Sequence, residues 1–295
     1  MKLSYIVQEI SSRCDAGCQN CFRTLVPVTE GNMSREVFEA SLAEVEPGTM
    51  VCGALHGESL LHPDFLFFLN RWKEKGLKVG LPLSGQTTNY VKEIMAKESP
   101  VYSVLVSADG YYEETQAERR GNIPIWKVDR LIGRCLAHRQ KDIFIGVRMI
   151  QHGQSEVEFE NFLYYLLFIE KIDAVLRANW TDYTKKGSPR KLDCRVITEG
   201  IPAITWDGDV LLCERVPDRK KYVLGNVLKE PLSKIWERRR YMDCCDNCGL
   251  AIVPCGMKGV MQLRHGPDVP IYVHNDHYQT FYSLKKDWSG ITWKE

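Results

Sequence analysis

Cys14-Asp-Ala-Gly-Cys18-Gln-Asn-Cys21 places three thiols within eight residues, just after the first strand-like run of a 295-residue chain. Gly17 gives the run the freedom to turn back on itself. Thiolate-rich loops of this kind select iron–sulfur clusters or zinc. A structural zinc site takes four ligands, usually a C-x2-C pair with a distant partner pair. Three thiolates with no nearby fourth suit a [4Fe–4S] cluster instead, with one iron left open to a small molecule. The position after a strand also bears on the fold, because in parallel α/β barrels the chemistry sits on loops at the C-terminal ends of the strands.

Working outward, strand-like runs lie near 4–10, 50–56, 78–84, 102–108, 142–150 and 174–179, and helix-like runs near 34–45, 63–75, 89–98, 125–139 and 155–171. Ser34 reads as an N-cap with Glu36 in the first turn. Pro63 suits a first helical position, and Gly76 closes that helix. Ser155 and Glu158 form a capping-box pattern. Strict alternation predicts an α/β fold with a parallel sheet. Pattern alone leaves a doubly wound sheet and a partial (βα)6 barrel both open.

Formal net charge is +1, which gives no argument for a nucleic-acid or anionic-membrane partner. The longest apolar runs, Phe65–Leu69 and Phe162–Ile169, are too short to span a bilayer. The N-terminus has no signal-peptide pattern, and the expected location is cytoplasmic. Eleven cysteines in such a chain point to metal ligands rather than disulfides. Cys52 and Cys135 stand apart from the clusters and read as buried small hydrophobes, Cys135 on the face Val128, Leu131, Ile132, Cys135, Leu136.

The cysteine spacing resembles the hallmark of the radical S-adenosylmethionine (SAM) enzymes, and the resemblance covers most of the chain. It implies the partial (βα)6 TIM-like barrel, a [4Fe–4S] cluster on Cys14, Cys18 and Cys21, and SAM bound at the fourth iron. One electron then cleaves SAM to a 5′-deoxyadenosyl radical, which takes a hydrogen atom from the substrate. An external reductant such as flavodoxin or ferredoxin is implied. Asn20 stands where the family has an aromatic residue against the adenine, and Phe22 is the substitute. Gly53-Ala-Leu-His56-Gly57-Glu58 resembles the Gly-Gly-Glu loop, with Gly57 and Glu58 matching and His56 and Ser59 departing from it. A glycine there allows close backbone approach to SAM. Val104-Leu-Val-Ser107-Ala-Asp109-Gly110 resembles the family's Ser-x-Asp-Gly ending, so Ser107 is expected at the cofactor. Arg119-Arg120-Gly121 resembles an Arg-Gly turn whose arginine would pair with the SAM carboxylate. Arg148 and Arg177 are charges within apolar strands, and one facing the lumen would bind SAM or substrate; Arg148 is taken as the cofactor contact.

After the sixth strand the texture changes, and we place the barrel at 1–183, a small domain of β-hairpin plus helix at 184–257, and an unassigned tail at 258–295. Cys194-x13-Gly208-x4-Cys213, the Gly225-Asn226-Val227 turn, the Leu232-x2-Ile-Trp helix and Cys244-Cys245-x2-Cys248 together resemble a SPASM or twitch domain. That likeness implies an auxiliary [4Fe–4S] cluster on Cys194, Cys213, Cys245 and Cys248, with Cys255 in reserve and Cys244 beside Cys245. A zinc ribbon fits the same ligands. The implied activity is a two-electron oxidation completed through the auxiliary cluster. The substrate is a small metabolite of sugar, aminocyclitol or nucleoside type; a maturase acting on a ribosomal peptide is the alternative. A non-enzymatic iron–sulfur or zinc module is the reading from another class. The sequence singles out no general acid or base: Asp109, Asp207, Glu214, His265, His274 and His277 all qualify.

Overall fold

The computed structural model of the chain describes residues 3, 5–19, 21–24, 28–151, 155–179, 201–214, 216, 219–240, 260–263, 271–275 and 279–283. Six strands, β1 (Tyr5–Gln8), β2 (Met50–Cys52), β3 (Lys78–Leu83), β4 (Val101–Ser107), β5 (Phe144–Gln151) and β6 (Ala174–Asn179), pair in parallel in sequence order. Between them run α1 (Arg35–Leu42), α2 (Phe65–Glu74), α3 (Val91–Ile94), α4 (Glu113–Arg120), α5 (Ile125–His138) and α6 (Glu156–Tyr164), the last continuing into a π-helical turn at Tyr165–Ile169. The alternation predicted the parallel sheet, and the partial barrel is the one the family resemblance implied.

The period-two rule sorts each strand's side chains between the helix layer and the lumen. On β1, Gln8 points at the helices: its amide donates to Ser41 Oγ (2.6 Å) and accepts from Trp72 Nε1 (2.8 Å). Phe38, Phe65, Phe68 and Trp72 complete that outer core, all fully buried. Leu105, Phe144, Ala174 and Leu176 pack as a separate apolar group on the other face. Arg177 belongs to the helix side, paired with Glu156 (2.7 Å) and lying over the Phe159 ring at 4.1 Å, so of the two strand arginines it is not the lumen residue.

Ser34 caps α1 as expected, its Oγ accepting from Val37 N (3.1 Å), and Gly76 follows α2 at φ +66°. Pro63 lies before Asp64, the N-cap of α2, rather than at its first helical position. Ser155 caps α6 (3.1 Å to Glu158 N), but the Glu158 carboxylate does not complete a capping box; it accepts from Tyr111 N (2.9 Å) and Tyr112 N (3.3 Å). Cys135 is buried in the core; Cys52 is not, and lies half-buried against Tyr5. Gly133 is an exposed interior position of α5 with open space where a Cβ would stand. Gly133→Ala should therefore raise stability by roughly 0.5–1 kcal/mol in a denaturant titration.

Both edges of the parallel sheet are extended. β7 (Ala203–Ile204) adds in parallel to β1, then β8 (Asp209–Leu211) and β9 (Val223–Asn226) follow antiparallel, and α7 (Leu232–Trp236) comes next. α7 is docked on the barrel by Ser233, whose N and Oγ both donate to Glu44 at 2.8 Å. At the other edge the tail supplies β10 (Val260–Leu263), β11 (Ile271–Asn275) and β12 (Gln279–Ser283), with β12 antiparallel to β6. No helix among the described residues is long and apolar enough to cross a membrane.

Candidate active site

The cysteine loop leaves the C-terminal end of β1 and is closed at its base. Met33 N donates to Ile10 O (2.8 Å), Ser12 N to Gly31 O (3.0 Å), and Ser11 Oγ to Asn32 Oδ1 (2.8 Å). The far side is held by the turn after α4. Gln19 N donates to Arg119 O (3.0 Å), Asn122 N to Ala16 O (2.8 Å), and Asn122 Nδ2 to Asp15 O (3.0 Å). Gly17 (φ +70°) makes the bend that the sequence reading required. Gln86, after β3, accepts from Asp15 N (2.7 Å) and donates to Cys14 Sγ (3.1 Å).

The three thiols are half-buried. Burial pushes the Cys18 thiol up to about 11, against the pull of the Arg120 guanidinium, and burial raises Cys21 also. Among the described residues no three His, Cys, Asp or Glu side chains converge on a point that could hold one metal ion. Sulfurs that each bind a different iron of a cluster need no such convergence.

Two orphaned polar atoms of opposite sign sit beside this loop. Glu58 is buried: its Oε2 accepts from Ser84 N (2.8 Å) and Ser84 Oγ (2.6 Å), while Oε1 has no partner among the described residues. Burial pushes its carboxyl up despite those two bonds and the neighbouring Leu60 main chain. Arg120 pairs through Nη1 with Asp109 Oδ2 (3.3 Å), and its buried Nε has no partner among the described residues. Arg120 is electrostatically coupled to all three cysteines and to Glu58. An acceptor and a donor left unmade in a buried site fit the ammonium and carboxylate of an α-amino acid group, such as the methionyl end of SAM.

Gly57 packs directly on the cysteine loop. A Cβ there would collide with Ser11 O and come within 2.6 Å of Ser12 C and Cα, so the glycine lets the β2 loop lie on the cysteine loop's backbone. Phe22 stacks on His56, ring centroids 5.1 Å apart at 24°. His56 N donates to Glu9 Oε1 (3.0 Å), and Arg219, from the segment after β8, meets both Glu9 oxygens at 3.1 Å and contacts His56 Nδ1. An arginine can only donate, so Nδ1 accepts and the ring proton lies on Nε2. Burial pushes the Glu9 carboxyl up, but hydrogen bonding to His56 and the charge of Arg219 outweigh it and hold it below the usual carboxylate range.

Ser107 and Arg148 are register partners on β4 and β5 and so share one face, and Arg148 is electrostatically coupled to Cys52, itself beside Tyr5 and Glu214. Asp109 is held by Arg120 and by Ile150 N (2.8 Å to Oδ1), and Asp207 accepts from Thr205 Oγ1 (2.5 Å) within its turn. Cys213 is half-buried after β8. Cys194, Cys244, Cys245, Cys248, Cys255, His265, His277 and Asn20 lie outside the described residues. Sequence reasoning missed Gln86, Ser84, Glu9 and Arg219. The only signal was a carboxylate, Glu9, at the end of an apolar strand.

The iron–sulfur cluster-binding domain SPASM matches residues 194–256. The tungsten-containing aldehyde ferredoxin oxidoreductase cofactor-modifying protein of Pyrococcus furiosus is 24% identical, over 81% of this chain and 82% of its own. Streptococcus suis SuiB, solved bound to S-adenosylmethionine, superposes with a TM-score of 0.61 at 17% identity, covering 79% of this chain and 65% of SuiB; it is also solved bound to its precursor peptide SuiA. The protein anSMEcpe, solved with bound AdoMet, gives 0.62 at 15% identity, covering 85% of this chain and 84% of its own. The present chain thus spans about two thirds of SuiB's length. With the cysteine loop at the end of β1 and the domain match behind the barrel, the chain has the radical SAM fold and carries a SPASM-type iron–sulfur cluster-binding domain at residues 194–256.

Proposed function

We propose that the chain is a radical SAM oxidoreductase that oxidises a small metabolite by two electrons. The observation that supports SAM binding is an orphaned buried Glu58 Oε1 and an orphaned buried Arg120 Nε beside Cys14, Cys18 and Cys21. Cys14, Cys18 and Cys21 would hold a [4Fe–4S] cluster, and Cys213 with Cys194, Cys245 and Cys248, Cys255 in reserve, a second one; the first would supply one-electron reduction of SAM and the second a one-electron acceptor for the substrate. Glu58 holds the SAM ammonium and Arg120 its carboxylate, each with a charge-assisted hydrogen bond. Phe22 and His56 wall the same mouth, and Ser107 and Arg148 face SAM or substrate from β4 and β5. A second reading, modification of a ribosomal peptide, is favoured by the SuiB structure with its precursor peptide.

The test is a pair of variants in anaerobically reconstituted protein reduced with dithionite. Cys18→Ala should abolish 5′-deoxyadenosine formation. Cys213→Ala should keep it, with iron content reduced by about half. Should Cys18→Ala still cleave SAM, the assignment of the first site is wrong.

A further inference from the structure

We propose that the cleft between the β3–α3 loop and the start of α5 is where a small acidic electron-carrier protein docks to reduce the first cluster. This rests on the radical SAM reading above. The carrier gives up one electron, the cluster gains it, and no bond forms or breaks. Gln86, whose amide also donates to Ser84 Oγ beside Glu58 (3.0 Å), reaches the cysteine loop from this cleft. It lines a cleft of about 260 Å³, and the same side chain donates to Cys14 Sγ at 3.1 Å. One amide therefore separates the cleft from a cluster ligand.

The cleft is built rather than incidental. Gly85 turns at φ +89° against the Lys127 and Val128 backbone, and Arg134 Nη1 donates to Thr88 Oγ1 (3.3 Å), fixing the loop to α5. Its outer wall is Trp126, 53% exposed, with the Lys127 ammonium 5.7 Å from the ring centroid and Arg130 one turn on. Among the described residues no carboxylate lines it, Glu113 lying next to it on Ile125 N (3.0 Å). A bare tryptophan ringed by cations has the composition of a protein-binding patch. The charge selects an acidic partner, and the connection to Cys14 selects one that carries electrons.

The experiment uses the reconstituted full chain, a purified low-potential flavodoxin and a plant-type ferredoxin, with Lys127→Glu/Arg130→Glu and, separately, Trp126→Ser. Trp126 and Arg130 are exposed and Lys127 is half-buried, and none of the three touches Glu58 or the cysteines. Dithionite-driven 5′-deoxyadenosine formation should be unchanged, while carrier-driven formation at subsaturating carrier falls about tenfold. Carrier affinity in a direct binding titration should fall by about the same factor, with a weaker dependence on salt than in the wild type. Wild type that binds neither carrier, or variants that bind and are reduced as well as wild type, would overturn the docking site. Wild type that binds flavodoxin in this way but does not cleave SAM with dithionite would instead overturn the proposed function and leave the docking surface standing.

Discussion

Arg219→Ala lowers the stability of the folded chain by about 3 kcal/mol at neutral pH. Glu9 is fully buried at the end of β1, and Arg219 is the cation that meets both of its oxygens. Removing one partner of such a pair leaves an uncompensated buried charge. Because the Arg219 side chain is 14% exposed, the low end of the usual cost applies. The pH dependence separates this from a simple loss of packing. In the wild type the folded Glu9 value is depressed, so its contribution is present above the ordinary carboxylate range and is lost as pH falls through the lowered value. Without Arg219 that depression is weaker, the hydrogen bonding to His56 remaining. His56, the other titratable group beside Glu9, gives its main-chain N–H to Oε1 in both proteins. Arg23 faces the His56 and Ser12 carbonyls and Glu30 and is common to both proteins. The stability gap between wild type and variant should therefore narrow as the pH falls through the carboxylate range in urea titrations. A gap under ~1 kcal/mol, or one that does not change with pH, would mean Glu9 is neutral or finds water.

The elements that pack by apolar periodicity were legible in the sequence, and those that pack by polar contacts were not. α5 shows its buried stripe of Val128, Leu131, Ile132 and Cys135 directly, and the six parallel strands follow from apolar runs between turn residues. α4, Glu-Glu-Thr-Gln-Ala-Glu-Arg-Arg, has no such stripe and was not expected. It buries Gln116 and Arg119 instead: the Gln116 amide accepts from Asp109 N (3.0 Å) and Gly110 N (3.1 Å) and donates to Ile123 O (3.0 Å). Residue types that usually face water carry no burial signal of their own. The same reason hid Gln86 and Arg219, each of which reaches the site across a long sequence separation. The tail strands β10 to β12 have short, mixed runs, and only pairing with β6 makes them strands. The cysteine loop stood out because thiols at that spacing are rare outside metal sites, and Glu58 and Arg120 because they belong to motifs.

Gly57→Ala should cost about 3 kcal/mol, the upper end for an added methyl group, and lower iron uptake along with it. The atoms in the way are Ser11 O and Ser12 C and Cα, all main chain. That segment cannot shift freely, since Ser12 N is bonded to Gly31 O and Glu58 N to Arg13 O (2.9 Å) across the same junction. Relief of the collision must move the β2 loop away from the cysteine loop, carrying Glu58 off Ser84 and loosening the frame around Cys14. Gly48→Ala is the comparison: φ is +85° but nothing lies within 4 Å, so it pays only left-handed backbone strain of about 1–2 kcal/mol, far from the cysteines. Melting temperature should fall in both variants, while iron per chain after anaerobic reconstitution should fall only in Gly57→Ala. If Gly57→Ala takes up iron like the wild type and loses only SAM affinity, the glycine serves the approach of the ligand, as its motif alone implied, and the packing argument fails.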